Sequence, residues 1–318
     1  MKRKVNRVGQ NTLTVSLPSK WASELKIKPG DELEVIEDSK SLIIQREGSP
    51  EKIKKAVINT DDWNKLMLNR FFEELYRQGV EEIVVNHTNE TIPDYKHNKE
   101  ISVSGYVNKV IERFIGLEVV SQTANKIIIQ SLIKSEEHEK TDVVLRRIYF
   151  LIKDFLAEFL NAMNNDFSSF FEKVYDYHDN IAKFIYYYER LLNISDLSEC
   201  KKSRLFGLMV IIDKVVDLIR HTAERVNEAK NVNDKIKLYL KEIFDLFLEQ
   251  FDIVLKKNFS PKELEAIVKK RYELLHQINK EDFTGDGLKI MSECKIILHT
   301  INEFCETYVA LTVEKYIS

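Results

Sequence analysis

Apolar and polar residues change rhythm twice along this chain. From Thr12 to Leu17 they alternate, with Leu13, Val15 and Leu17 on one side and Thr12, Thr14 and Ser16 on the other, the period of two that a half-buried strand requires. Pro18 ends that strand and suits the first turn of a helix, so residues 19–25 predict a short helix with Trp21, Ala22 and Leu25 turned inward. Pro29-Gly30-Asp31 is a turn signal, and strands are expected at 32–36 and 42–45, joined by Glu37-Asp38-Ser39-Lys40. A polar Glu47-Gly48-Ser49-Pro50 linker closes this first region.

The second region predicts a strand at 54–59, a helix capped by Thr60-Asp61-Asp62 and closed by Gly79, and a strand at 83–85. A polar loop over 87–99 containing Pro93 should follow, then a helix over 107–115 ended by Gly116 and strands at 117–121 and 126–130. The order β-α-β-α-β-β suggests a small α/β module of ferredoxin-like type. From about residue 140 glycine and proline nearly vanish and apolar residues fall three and four apart, with breaks at 164–165, 194–195, near 231, at 258–261 and at 284–287. Six long helices result, and Ser260-Pro261-Lys262-Glu263 reads as a capping box. Short connections imply antiparallel packing as two three-helix bundles side by side. The class expected is thus a multidomain α+β chain: residues 1–47, a small α/β module at 51–134 and an all-α region at 139–318.

Charge changes the picture at one end only. The chain as a whole carries a net charge of −3, yet five of its first twenty-three residues are basic (Lys2, Arg3, Lys4, Arg7, Lys20) and no acid precedes Glu24. A basic lip on an acidic chain points to an anionic partner, because cations displace condensed counterions from phosphate. The plainer alternative is a set of solvated charges guarding a strand edge. The three cysteines, Cys200, Cys294 and Cys305, lie far apart without Cys-x-x-Cys spacing and predict neither a disulfide framework nor a zinc knuckle. There is no apolar leader and no run of about 18 apolar residues, so no membrane insertion and a cytoplasmic location are expected. No Gly-x-Ser-x-Gly, His-Glu-x-x-His or local Cys-His pair occurs, which argues against an enzyme.

The order basic strand, glycine, alternating strand, Leu-Pro, short helix, Lys28-Pro29-Gly30-Asp31 turn and Leu42-Ile43-Ile44 strand resembles the AbrB/SpoVT/MazE family of swapped-hairpin DNA-binding domains. That resemblance implies a homodimer formed through the N-terminal domain, with double-stranded DNA as partner and Lys2, Arg3, Lys4, Arg7, Asn11 and Lys20 as its contacts. A fifty-residue segment with so few apolar side chains would be marginal alone, which independently argues for a second copy.

A second resemblance sits at Ile212-Asp213-Lys214-Val215-Val216-Asp217, which looks like the acidic metal motif of the PhoU family of six-helix proteins tied to phosphate uptake. Carboxylates at i and i+4 share a helix face and could share a cation with a neighbouring helix. The resemblance implies a divalent or trivalent metal ion held by Asp213, Asp217, His178, Asp179, His299 and Glu303, although His178 and His299 stand where the family carries acids. The alternative is a salt-bridged helix face. Residues 115–129 resemble the connecting region of archaeal proteins that join an AbrB-like head to a PhoU-like tail. Together these imply a DNA-binding regulator of phosphate uptake. The alternatives are a PhoU-like adaptor for phosphate transporter components, its head used for dimerisation, and an antitoxin-like partner-binding module.

Overall fold

The first fifty residues form two small antiparallel ladders and one helical turn. In the computed structural model, which describes residues 2–38, 41–46, 53–133, 141–195, 197–229, 232–256 and 260–313, β1 (Val5–Val8) pairs with β2 (Thr12–Val15), and β3 (Leu33–Asp38) pairs with β4 (Ser41–Arg46). Gly9, at φ +70°, opens the three-residue β1–β2 turn in a conformation that favours glycine. Helix α1 (Ser19–Glu24) starts after Pro18 and keeps Trp21, Ala22 and Leu25 half-buried, the expected inward face. The linker expected at 47–50 and the boundaries at 47, 51, 134 and 139 lie outside the described residues. The chain divides into two compact units, Met1–Lys52 and Ile53–Ser318.

The second unit begins with β5 (Lys55–Asn59), α2 (Lys65–Arg77) and β6 (Glu82–Asn86), a β-α-β whose strands pair in parallel. A hairpin follows, β7 (Thr91–Asp94) with β8 (Lys99–Ser102), where the sequence suggested only a polar loop. Then come α3 (Val103–Ile111), β9 (Leu117–Gln122) and β10 (Lys126–Ser131). The sheet order is β5-β6-β10-β9, with β10 antiparallel to both its neighbours. The two parallel strands touch directly, whereas the ferredoxin-like arrangement splits its β-α-β with an intervening strand, so this sheet replaces the expected one. Ile83, Val85, Ile127 and Ile129 are fully buried and share one core with Leu68 and Phe72 of α2 and Val107 and Val110 of α3.

The rest is helical: α4 (Thr141–Ala162), the short α5 (Phe167–Phe171), α6 (Val174–Ile194), α7 (Glu199–Ala229), α8 (Asp234–Lys256), α9 (Pro261–Asn279) and α10 (Gly285–Thr312). The long helices α4, α6, α7, α8 and α9 end near the breaks expected at 164–165, 194–195, 231, 258–261 and 284–287. Ser260 caps α9 by position but its side chain makes no capping hydrogen bond, so the expected capping box reduces to a Pro261 start. Helix α7 runs most extensively beside α10; α6 packs on α4 and α7, α8 on α4 and α10, and α9 on α8 and α10. Phenylalanine rings fill the seams, Phe159 meeting Phe244 edge-on at 5.2 Å and Phe247 meeting Phe304 at 6.0 Å. Tyr186, Tyr187 and Tyr188 of α6 are buried, the packing role expected of that aromatic run.

Helix α6 ties the helices to the α/β layer through the end of α2. Gly79 (φ +75°) closes α2 in a left-handed turn, with Val80 N–H donating to Leu75 C=O at 3.1 Å and Gly79 N–H to Tyr76 C=O at 3.0 Å. Further donors to that end come from α6. Buried Arg190 donates to Tyr76 C=O at 3.0 Å and Val80 C=O at 2.9 Å while lying 4.9 Å from the Tyr76 ring, and Asn193 donates to Arg77 C=O at 2.6 Å. Beside them Arg77 forms a 2.7 Å ion pair with buried Glu189.

Candidate nucleic-acid interface and the polar face of the helices

Lys2, Arg3, Lys4, Arg7, Asn11 and Lys20 are all exposed. Pairing in the hairpin decides which side each strand residue takes. Val5 opposes Val15 and Arg7 opposes Leu13, so Val5, Arg7, Leu13 and Val15 share one face, while Asn6, Val8, Thr12 and Thr14 share the other. Asn11 lies in the turn and Lys20 in α1, so the expected contacts come from three separate pieces of backbone.

The apolar residues of this unit are as open as its cations. Val5, Val8, Leu13 and Val15 are 63%, 58%, 69% and 47% exposed, and Val35 and Leu42 are 55% and 62% exposed. Among the described residues of 2–46 none is buried. A lone two-stranded hairpin is marginal in water, and one with bare valines and a bare leucine needs a covering surface. Arg7 stands in that apolar face, where its methylene stem can lie along Leu13 and carry the guanidinium to the rim.

The residues expected to hold a metal fall into two places. His178 of α6 sits between two carboxylates, Nε2 at 3.0 Å from Asp217 Oδ1 and Nδ1 at 3.2 Å from Asp179 Oδ1. Arg220 approaches Asp217 at 3.3 Å and Glu224 at 2.8 Å, Tyr175 donates to Glu224 at 3.0 Å, and Arg113 lies 3.9 Å from Asp179. Burial opposes charge on His178, but the hydrogen bonds and charges of Asp179 and Asp217 outweigh it and raise its pKa to about 9. The hydrogen bond to His178 in turn lowers Asp217 to about 2. Asp213, one turn earlier on α7, is pushed up by burial and by Asp217. His299 and Glu303 are exposed on α10.

This arrangement does not fit a metal centre. A ligating imidazole must offer a nitrogen lone pair to the ion, whereas both ring nitrogens of His178 already face carboxylate oxygens, at 3.0 Å and 3.2 Å. Among the described residues no group of three or more His, Cys, Asp and Glu side chains could hold a metal ion. The salt-bridged face is the alternative that matches. Sequence reasoning missed Arg220 and Glu224, although Asp217-x-x-Arg220 and Arg220-x-x-x-Glu224 have helical ion-pair spacing and were legible. Arg113 was not, since it reaches Asp179 from the turn after α3.

The N-terminal unit is a small basic hairpin unit whose described apolar residues stay at least partly open to solvent. Residues 7–53 match the family described as antidote-toxin recognition MazE, bacterial antitoxin, a match that covers the hairpin from Arg7 onward, α1 and the β3–β4 ladder and leaves Lys2, Arg3 and Lys4 outside. No curated protein and no solved structure matches the chain. Among the described residues no helix is long and apolar enough to cross a membrane.

Proposed function

We propose that this chain is a homodimeric, DNA-binding transcriptional regulator, its N-terminal unit reading double-stranded DNA and its helical region receiving a signal or a partner. The observation that carries this reading is the hairpin of residues 5–15, with an exposed apolar face for a second copy and an exposed cluster of cations, inside a segment similar to a MazE-type domain. The link to phosphate uptake, through transporter components or an adaptor role, rests on the PhoU resemblance at Asp213 and Asp217 and on the resemblance of residues 115–129. No metal is part of the proposal, because His178 is already committed to two carboxylates.

The test is fluorescence anisotropy of the full chain on duplex fragments from its own upstream region at several salt concentrations. Each phosphate contact removed should flatten the dependence of log K on log salt by about one unit, so Lys4→Ala and Arg7→Ala should weaken binding and lower the slope. Equal, weak binding to every fragment, indifferent to both substitutions, would overturn the reading. The family description also favours a second reading, an antitoxin-like module that engages a protein partner. Co-purification of a stoichiometric partner from the native host, with DNA binding absent, would select it.

A further inference from the structure

One cavity of the second unit adjoins the polar face of the helices through Arg113. It opens, with a volume of about 430 Å³, between the first turns of α2, the tip of the β7–β8 hairpin and α3. Helix α2 follows β5, and the hairpin follows β6, so the cavity stands outside the carboxyl ends of the two parallel strands. Its volume falls within the roughly 300–1,000 Å³ typical of small-molecule sites.

The lining selects the ligand's chemistry. Lys65, Lys96 and Arg113 face one carboxylate, Asp94, and that carboxylate is already engaged, with Lys65 at 2.6 Å and His97 at 2.8 Å. Lys96 is exposed at the hairpin tip, so the lining offers solvent a cation beside the Lys65–Asp94 pair. Tyr95, 77% exposed at the hairpin tip, and half-buried Tyr106 supply aromatic surface. Arg113 is held toward the cavity by a 3.1 Å hydrogen bond to Asn69, while its Nε is buried without a partner. Cations beside exposed aromatic surface suit a ligand with an anionic end and a flat body, the anion meeting charge-assisted donors and the body stacking on a ring.

We propose that this cavity binds a nucleoside phosphate, the phosphate toward Lys96 and Arg113 and the base against Tyr95. Arg113 also lies 3.7 Å from Glu73 and 3.9 Å from Asp179, so a phosphate drawing on its charge competes with the carboxylates of α2 and α6. The site thereby has a route from a ligand to the helices, independent of whether the N-terminal unit reads DNA.

Isothermal titration of the full chain with adenosine and guanosine 5′-monophosphates tests it, with inorganic phosphate as competitor. Lys96→Glu and Tyr95→Ala alter exposed side chains and leave the core intact, and Arg7→Ala controls for nucleotide held by the N-terminal unit. Expected is saturable binding of one nucleotide per chain, weakened about tenfold or more by Lys96→Glu and severalfold by Tyr95→Ala, and unchanged in Arg7→Ala. No saturable binding of either nucleotide overturns the proposal, as does binding lost only in Arg7→Ala or indifferent to both cavity variants. Inorganic phosphate binding as tightly as the nucleotides overturns the nucleoside part. DNA binding by the same samples is scored separately, so either idea can fail alone.

Discussion

The two compact units stabilise themselves in opposite ways. In Met1–Lys52 the described apolar side chains remain at least partly open to solvent, and the ladders are two strands wide. In Ile53–Ser318 a continuous core runs from the sheet through α10, and even charged groups such as Glu73, Glu189 and Arg190 are enclosed with partners. The first unit therefore has its hydrophobic contribution still to collect from outside a single chain, while the second has collected it within one. The contrast predicts that substitutions in the first unit act on association and those in the second on melting.

The largest effect should come from Leu13→Asp, which places a carboxylate in the apolar hairpin face opposite Arg7. Dimer assembly measured by sedimentation should be lost, with little change in the main melting transition. A variant that stays dimeric would show that the copies meet elsewhere. Next is Arg190→Met, which strips the Val80 carbonyl of its donor and the Tyr76 carbonyl of one of its two. A loss of about 3 kcal/mol is expected by chemical denaturation, since buried acceptors lose a charged partner.

Gly79→Ala should cost about 1–3 kcal/mol for two reasons. The left-handed backbone disfavours a side chain, and an added Cβ would sit 2.7 Å from Ile194 Cγ2. An unchanged melting temperature would mean that α6 can shift to admit the methyl.

The smallest effect belongs to the His178 pair, and it depends on pH. His178 has its folded pKa raised from 6.5 to about 9, so its contribution is complete below about 6.5 and fades as pH rises to 9. Asp217 is lowered from 3.8 to about 2, so its contribution is complete above about 3.8 and fades as pH falls toward 2. His178→Gln should therefore destabilise by about 1 kcal/mol at pH 6 and by much less at pH 9.5. An equal loss at both values would mean that His178 acts through packing and not charge.

The α-helices were largely legible because their signals are local. Apolar spacing and the breaks at 164–165, 194–195 and 284–287 place the long helices, and alternation places the strands of the first unit. Misplaced starts have local causes of another kind. Helix α2 is capped by Asn64, whose side chain accepts from Met67 N–H at 3.0 Å, while Asp61, expected to help cap it, binds Thr88 and Asn89 across the β5–β6 edge. Helix α3 begins four residues early because Ser102 caps it through Gly105 N–H, and Gly105 masks the helical pattern. The β7–β8 hairpin hid behind Pro93, which a two-stranded ladder tolerates because both strands are edges.

The candidate sites divide along the same line. Basic residues clustered within twenty positions announce themselves, and so do Asp213 and Asp217 on one helix face. Which charges meet across helices is a property of the tertiary fold. The arrangement of His178 between two acids, which engages both nitrogens of an expected metal ligand, follows only once α6 and α7 lie side by side.

The way α6 closes the end of α2 bears on how this chain could be divided. Arg190 and Asn193 stand more than a hundred residues downstream of the carbonyls they satisfy, so a cut between β10 and α4 would separate acceptor from donor. The sheet half would keep a helix end with bare carbonyls and an uncovered Tyr76 ring. The helical half would keep a guanidinium shaped for a groove no longer present. A stretch that looks like a separable cassette along the chain is, in three dimensions, one half of a joint.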